Sequence, residues 1–193
     1  AGTCSIFPPE LQPGSRRMDA PRSLVIVKLS AIGDVLHGIP TAVALKRAFP
    51  NCTIGWIVEG RSADVLAGHP AIDHLFRLPR GWLKSPRQIA SLRREVRCFR
   101  PDVTLDLQGL LKSGVAALLA GSPVRIGHAP PEARELSWLT SNRRVSAAAA
   151  HVVDRSLQLL APLGITAPEI GFDMPHWPVS RQRVAGWLGP LQQ

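Results

Sequence analysis

A chain of 193 residues with 45% apolar content can bury one full domain and begin a second, and it holds no uninterrupted run of roughly 18 apolar residues to cross a bilayer. Its three cysteines, Cys4, Cys52 and Cys98, form neither a CxxC pair nor an even set. They give no disulfide framework and imply a reducing cytoplasm, with Cys52 and Cys98 as small, partly buried hydrophobes. The net charge of +9 is concentrated between Arg77 and Arg100, where eight basic residues stand against one acid, Glu95, a patch suited to phosphates or anionic headgroups.

Residues 1–22 are rich in Pro, Gly, Ser and charge, lack the apolar stretch of a secretion signal, and are expected to be a disordered extension. Met18 stands just ahead of the first strand, so translation is expected to start there, with residues 1–17 as upstream read-through. Residues 24–29, nearly all apolar and β-branched, predict a central strand covered on both faces, with Lys28 its one charged exception. Gly33 is expected to allow a tight turn. Residues 38–49 then read as a helix, with Ile39, Val43, Leu45 and Phe49 roughly on one side and Pro40 in its first turn.

Residues 53–59 predict a second strand, 61–67 a short helix and 74–78 a third strand. A helix over 85–99 follows, with Ser85 as its cap, Pro86 at its first position, Ile89, Leu92, Val96 and Phe99 on its apolar face, and arginines opposite. Residues 102–107 predict a fourth strand that opens into Gln108-Gly109-Leu110-Leu111-Lys112-Ser113 and a helix to 120; residues 124–127 make a fifth. Beyond the Pro130-Pro131 break, 132–139 reads as a short helix and 151–163 as a clearer one, stopped by Gly164. This βα alternation predicts an α/β fold: a Rossmann-like, mainly parallel sheet with helices on both faces. Neither a GxGxxG fingerprint nor a GxxxxGK[ST] loop occurs, which disfavours a plain dehydrogenase or P-loop enzyme.

Ligands of such sheets gather beyond the carboxyl ends of the strands, which places Lys28, Ser30 and Asp34 at the rim where chemistry is done. Asp34 is the candidate catalytic residue; its competing role is to cap the following helix. Trp82, between Arg80 and Lys84, suits either a membrane interface or a cap on the core. Tyr is absent and other aromatics are few, with no RNP-type strand, zinc finger or basic zipper, so phosphorylated lipid fits the basic patch better than nucleic acid. The histidines are scattered without an HExxH or Cys/His cluster, and no metal or cofactor is expected.

The runs VKLSAIGDVLHGIP (27–40) and DLQGLLKSG (106–114), with REL, SNRR and HVVDR across 134–155, resemble glycosyltransferase family 9, in particular its lipopolysaccharide heptosyltransferase I group. The resemblance implies a GT-B architecture of two facing Rossmann-like domains. Residues 23–174 would be the N-terminal, acceptor-binding domain, and 175–193 a linker or the start of a C-terminal donor-binding domain missing from this chain. The implied reaction is inverting, metal-independent transfer of L-glycero-D-manno-heptose from ADP-heptose to the Kdo of the lipopolysaccharide inner core. It implies a cytoplasmic enzyme, peripheral at the inner face of the inner membrane, that meets Kdo-lipid A on an anionic surface.

Asp34 falls on the family's catalytic aspartate, which takes the proton of the attacking Kdo hydroxyl and, as a weak base, acts chiefly by position. Ser30 is carried over as acceptor-binding. Lys28 would hold Asp34 ionised or contact the acceptor carboxylate, or form only a structural ion pair. Arg80, Lys84 and Arg87 match the basic acceptor region in placement. Gln108 and Lys112 lie in the second motif, where helix amides after Gly109 and the Lys112 ammonium would suit an anionic sugar or simply close that helix start. His151 matches a histidine near the cleft, with a structural role equally open. Ala31 departs from the pattern, which usually has a hydroxyl residue there. Two other readings stand beside this one: a family 9 transferase for a different sugar or acceptor, such as heptosyltransferase II, and a non-catalytic anion- or lipid-binding Rossmann remnant. The chain alone is expected to bind an anionic acceptor weakly and to transfer no heptose.

Overall fold

The computed structural model describes residues 20–147 and 149–175. The expected extension therefore lies outside the described residues up to residue 19, as does the proposed start at Met18, and the expected linker lies outside them beyond Pro175. In chain order the elements are β1 (Ser23–Val27), α1 (Ile32–Ala48), β2 (Thr53–Glu59), β3 (His74–Leu78), α2 (Pro86–Phe99), β4 (Val103–Asp106), α3 (Leu111–Ala120), β5 (Val124–His128), β6 (Arg143–Val145) and α4 (Val152–Gln158). The strands form one six-stranded sheet in the order β3-β2-β1-β4-β5-β6, parallel at every pairing. This is the Rossmann-like α/β architecture that the alternation of apolar strands and amphipathic helices predicts.

β1 lies at the centre, and its side chains from Leu24 to Val27 are wholly buried. Successive residues of a strand face opposite sides of the sheet. Leu24 and Ile26 accordingly join the core beneath α1 and α4, while Val25 and Val27 pack with Leu92 and Val96 of α2 and Ala116 and Ala117 of α3. The chain leaves β1 toward β2 on one side and later returns to β4 on the other, so the carboxyl end of β1 is the topological switch point of the sheet. Trp56 of β2 secures this point: its indole N–H donates to the Lys28 carbonyl at 3.1 Å. Gly38 of α1 leaves room for that ring, because a Cβ there would come within 2.9 Å of it.

Several local expectations are corrected. α1 begins at Ile32, six residues before the expected 38, because the Asp34 carboxylate accepts from the Ala31 N–H at 3.2 Å and starts the helix there. Gly33 thus lies in the first helical turn and does not supply a left-handed bend. α3 begins at Leu111, after a turn in which Gly109 takes a positive φ of 68°. The short helix expected over 61–67 is a 3-10 segment at Gly60–Val65. The one expected over 132–139 shrinks to a 3-10 turn at Ser137–Thr140, since Glu135 and Leu136 both adopt left-handed backbone. The helix expected over 151–163 divides into α4 and a 3-10 turn at Ala161–Leu163 that contains Pro162. β6 is too short and too charged to be foreseen. Trp82 is 1% exposed and caps the core, so the membrane-interface reading of that ring fails. Cys52 is buried as expected, but Cys98 is exposed on α2. Among the described residues, no helix is long and apolar enough to cross a membrane.

Candidate active site

At the carboxyl rim of the sheet, a crevice of about 250 Å³ opens between α1, the turn after β4, the loop after β5, and α4. Its charged and polar lining consists of Lys28, Asp34, Gln108, His128, Arg134 and Arg155, with Glu132 and Ser156 completing the polar wall. Asp34 and Lys28 are brought together here as the sequence predicts. The Asp34 side chain is exposed, and among the described residues the one hydrogen bond it accepts comes from the Ala31 amide. It therefore caps the helix and still presents carboxylate oxygen to the crevice, so capping does not take it out of the crevice wall.

Lys28 is only 4% exposed, and its ammonium donates to the Leu107 carbonyl at 2.9 Å. Burial pushes its pKa below the ordinary lysine value; the negative charges of Asp34 and Asp106 oppose that shift. No carboxylate lies within salt-bridge distance of Lys28 among the described residues, so the simple ion pair is not formed. Asp106, almost wholly buried at the end of β4, accepts from the Gln108 and Gly109 amides and from the Ser113 hydroxyl. Desolvation raises its pKa against those hydrogen bonds. Its role is to fold the turn that carries Gln108, whose side-chain oxygen accepts from the Leu29 amide at 2.7 Å.

The second motif departs from the expected anion cradle. The amides of Gln108 and Gly109 are taken by Asp106, that of Leu110 by the Ser113 hydroxyl and that of Leu111 by Glu135. Lys112 forms an ion pair with buried Glu59 at the end of β2, whose other carboxylate oxygen accepts from the Gly81 amide. The pair ties the loop bearing Arg80, Lys84 and the Trp82 ring to α3, and Lys112 has no place in the crevice wall. Arg80, Lys84 and Arg87 are exposed outside the crevice, and Ser30 sits half-buried in the turn beside it. His151 is also outside: its Nδ1 accepts from the Val153 amide at 3.3 Å, which makes it the cap of α4.

Five polar lining residues, His128, Glu132, Arg134, Arg155 and Ser156, were not singled out from the sequence. Arg134 and Arg155 were within reach, because REL and HVVDR carry them, but the strings alone do not say which letter points inward. His128 gave no signal: the strand 124–127 was expected to end one residue short of it. It is 8% exposed, and its Nδ1 has no hydrogen-bond partner among the described residues; the Nε of Arg155 is likewise unpaired.

A parallel sheet of this order with a charged crevice at its switch point defines a Rossmann-like domain of the kind paired in GT-B enzymes. Residues 89–183 match the family model described as glycosyltransferase family 9 (heptosyltransferase). Lipopolysaccharide heptosyltransferase 1 of Salmonella typhimurium LT2 is 30% identical over 162 residues, covering 79% of this chain and 49% of that protein. Its namesake in Pseudomonas aeruginosa PAO1 is 32% identical over 166 residues, covering 78% and 46%. The structure of E. coli heptosyltransferase WaaC with ADP-2-deoxy-2-fluoro heptose matches with a TM-score of 0.68 at 30% identity, over 77% of this chain and 50% of that one. A glycosyl transferase family 9 structure from Veillonella parvula shares the fold, with a TM-score of 0.71 at 18% identity over 89% of this chain and 50% of its own. In sequence and fold alike, the chain is a member of glycosyltransferase family 9. It spans about half the length of the relatives it matches.

Proposed function

We propose that this chain is the acceptor side of a lipopolysaccharide heptosyltransferase, with Asp34 as the catalytic base in an inverting, metal-independent transfer of heptose to Kdo. The observation that carries the reading is the exposed Asp34 carboxylate at the sheet's switch point, in a crevice whose wall also holds Lys28, Arg134 and Arg155. A hydroxyl that enters this crevice meets a carboxylate able to accept its proton as the new glycosidic bond forms, while the three cations attract the acidic groups of the acceptor. Asp34 is held in place by the Ala31 amide and by the helix it starts. The nucleotide-sugar donor, of the kind bound in the WaaC structure, is assigned to the half of the relatives that this chain does not span. Acceptor contact is proposed for Lys28, Gln108, Arg134 and Arg155, with Ser30 beside them. Arg80, Lys84 and Arg87 are assigned to phosphate groups of the lipid and to an anionic inner-membrane surface, outside the crevice.

Binding of Kdo-lipid A to the 193-residue chain tests this reading. Arg134→Ala is expected to weaken binding by roughly tenfold, as loss of one charge-assisted contact does. Because Arg134 is exposed, the melting temperature should stay close to that of the unchanged chain. Equal binding by the two proteins would remove Arg134 from the site. No measurable binding by the unchanged chain would refute the acceptor reading itself.

A further inference from the structure

Away from the crevice, a groove of about 460 Å³ opens between α2 and α3. Every residue that α2 gives it, from Pro86 to Arg97, follows the spacing of a single helix face, so the lining is one stripe about 16 Å long. The first half of that stripe is apolar: Pro86, Ile89 and Ala90, with Leu119 of α3 on the facing wall. Ile89 and Leu119 are half-buried and pack on the core, whereas Ala90 is exposed, so the apolar lining is open to solvent.

The second half is cationic. Arg93, Arg94 and Arg97 are all exposed, and none of them forms an ion pair among the described residues. Glu95, the acid of this helix, accepts from the Ser91 hydroxyl and lies roughly half a helical turn away from the stripe. The Arg97 side chain reaches across to the end of α3, where a Cβ on Gly121 would come within 3.3 Å of its Nε. The negative ends of α2 and α3 meet here too, each worth about half a charge, and three guanidinium groups outweigh them.

The order of these groups along the groove decides what fits it. An acidic amphipathic helix from a partner protein carries its charges along its whole length and would want cations on both rims from end to end. Here apolar lining and cations follow one another along the axis, which matches a molecule with one anionic head and one apolar tail. We propose that the groove between α2 and α3 is a binding site for a single anionic phospholipid, its phosphate held by Arg93, Arg94 and Arg97 and an acyl chain laid along Ala90, Ile89 and Leu119. Planar guanidinium groups pair with phosphate in two-point fashion, and their aliphatic stems extend the apolar wall. The site is separate from the acceptor crevice and does not depend on the acceptor reading. It adds to the general attraction of a basic face for a membrane a discrete, saturable site with one lipid per chain.

The test titrates the 193-residue chain with dioctanoyl phosphatidylglycerol kept below its micelle concentration, with dioctanoyl phosphatidylcholine and inorganic phosphate in parallel, read by amide NMR. The anionic lipid should bind at one per chain, shift the α2 and α3 amides around the groove, and bind roughly tenfold tighter than the phosphatidylcholine. Ala90→Trp, which fills the groove from an exposed position, should weaken both lipids by tenfold or more and leave Kdo-lipid A binding unchanged. Arg94→Gln should bring phosphatidylglycerol down to the affinity of phosphatidylcholine. Should Ala90→Trp fail to fold, Ala90→Glu, which sets a carboxylate beside the acyl chain, decides in its place. Equal phosphatidylglycerol binding by the unchanged chain and the Ala90 variant, or a response to inorganic phosphate as strong as to the lipid, would overturn the inference. So would a loss of Kdo-lipid A binding in Ala90→Trp, which would give the groove to the acceptor, or a dimer of the unchanged chain that Ala90→Trp dissolves, which would give it to a second copy. Saturable lipid binding by a chain that ignores Kdo-lipid A would uphold the inference while the acceptor reading falls.

Discussion

Asp34 shows how one carboxylate can start a helix and still line a crevice, as the proposed reaction requires. A helix start exposes unpaired amides, and an acid in the first turn satisfies one of them while complementing the positive helix end. The cap leaves the rest of the carboxylate facing the crevice, so the residue is fixed without being sealed. Its place at the crevice could be read from the sequence because a buried strand ran directly into its turn. His128 could not be read in that way, since its environment is assembled from β1, β5, α4 and a loop that are far apart in the chain. Its titration has a consequence for stability. The unfolded histidine gains a proton as pH falls through about 6.5, whereas the folded one resists until about 4. The unfolded state thus binds more protons in that window, and the fold loses stability as pH falls, by roughly 3 kcal/mol at most. Chemical denaturation across this range should show the loss in the unchanged chain and a flatter profile in His128→Phe. Equal slopes would show that His128 is not the residue that titrates.

Among the elements, those with a clear apolar rhythm were legible, and those set by long-range capture of amides were not. α2 follows its pattern from end to end: the Ser85 hydroxyl accepts from the Gln88 amide, Pro86 opens the helix, and Leu92 and Val96 face the core. Ser85→Ala should therefore cost about 1 kcal/mol, read as a lower midpoint of chemical denaturation. α3 begins later than its sequence suggests because Asp106, buried at the end of β4, captures two amides of the preceding turn. Its packing is also set from a distance. Gly114 lies against the Thr140 side chain, and a Cβ added there would meet Thr140 Oγ1 at 2.6 Å. Gly114→Ala should lower stability by about 1–3 kcal/mol through overcrowding, visible as a lower melting temperature. An unchanged melting temperature would mean that the Ser137–Thr140 turn gives way without cost. Lys112 makes the same point from the other direction: its charge suggested an anion site, but buried Glu59 claims it.

At the scale of the whole molecule, the parallel α/β sheet follows from strands that alternate with helices and was expected from the sequence, whereas the order of its strands was not. The polar lining of the crevice was only half legible, because a motif names neighbours in sequence while a crevice collects neighbours in space. The excess of positive charge lies apart from the crevice, on the loop and helix from Arg80 to Arg100. If that face meets a membrane, vesicles with anionic phospholipid should retain the chain at low ionic strength and release it as salt rises, while neutral vesicles should not retain it. Retention unaffected by salt or lipid charge would count against the assignment. The central claim, that Asp34 is the base, is tested most directly by heptose transfer from ADP-heptose to Kdo-lipid A, with this chain joined to a donor-binding half. Asp34→Asn can keep the hydrogen bond from the Ala31 amide, so acceptor affinity should hold while the transfer rate falls by roughly a hundredfold to ten-thousandfold. Transfer by Asp34→Asn within a few-fold of the unchanged protein would contradict it.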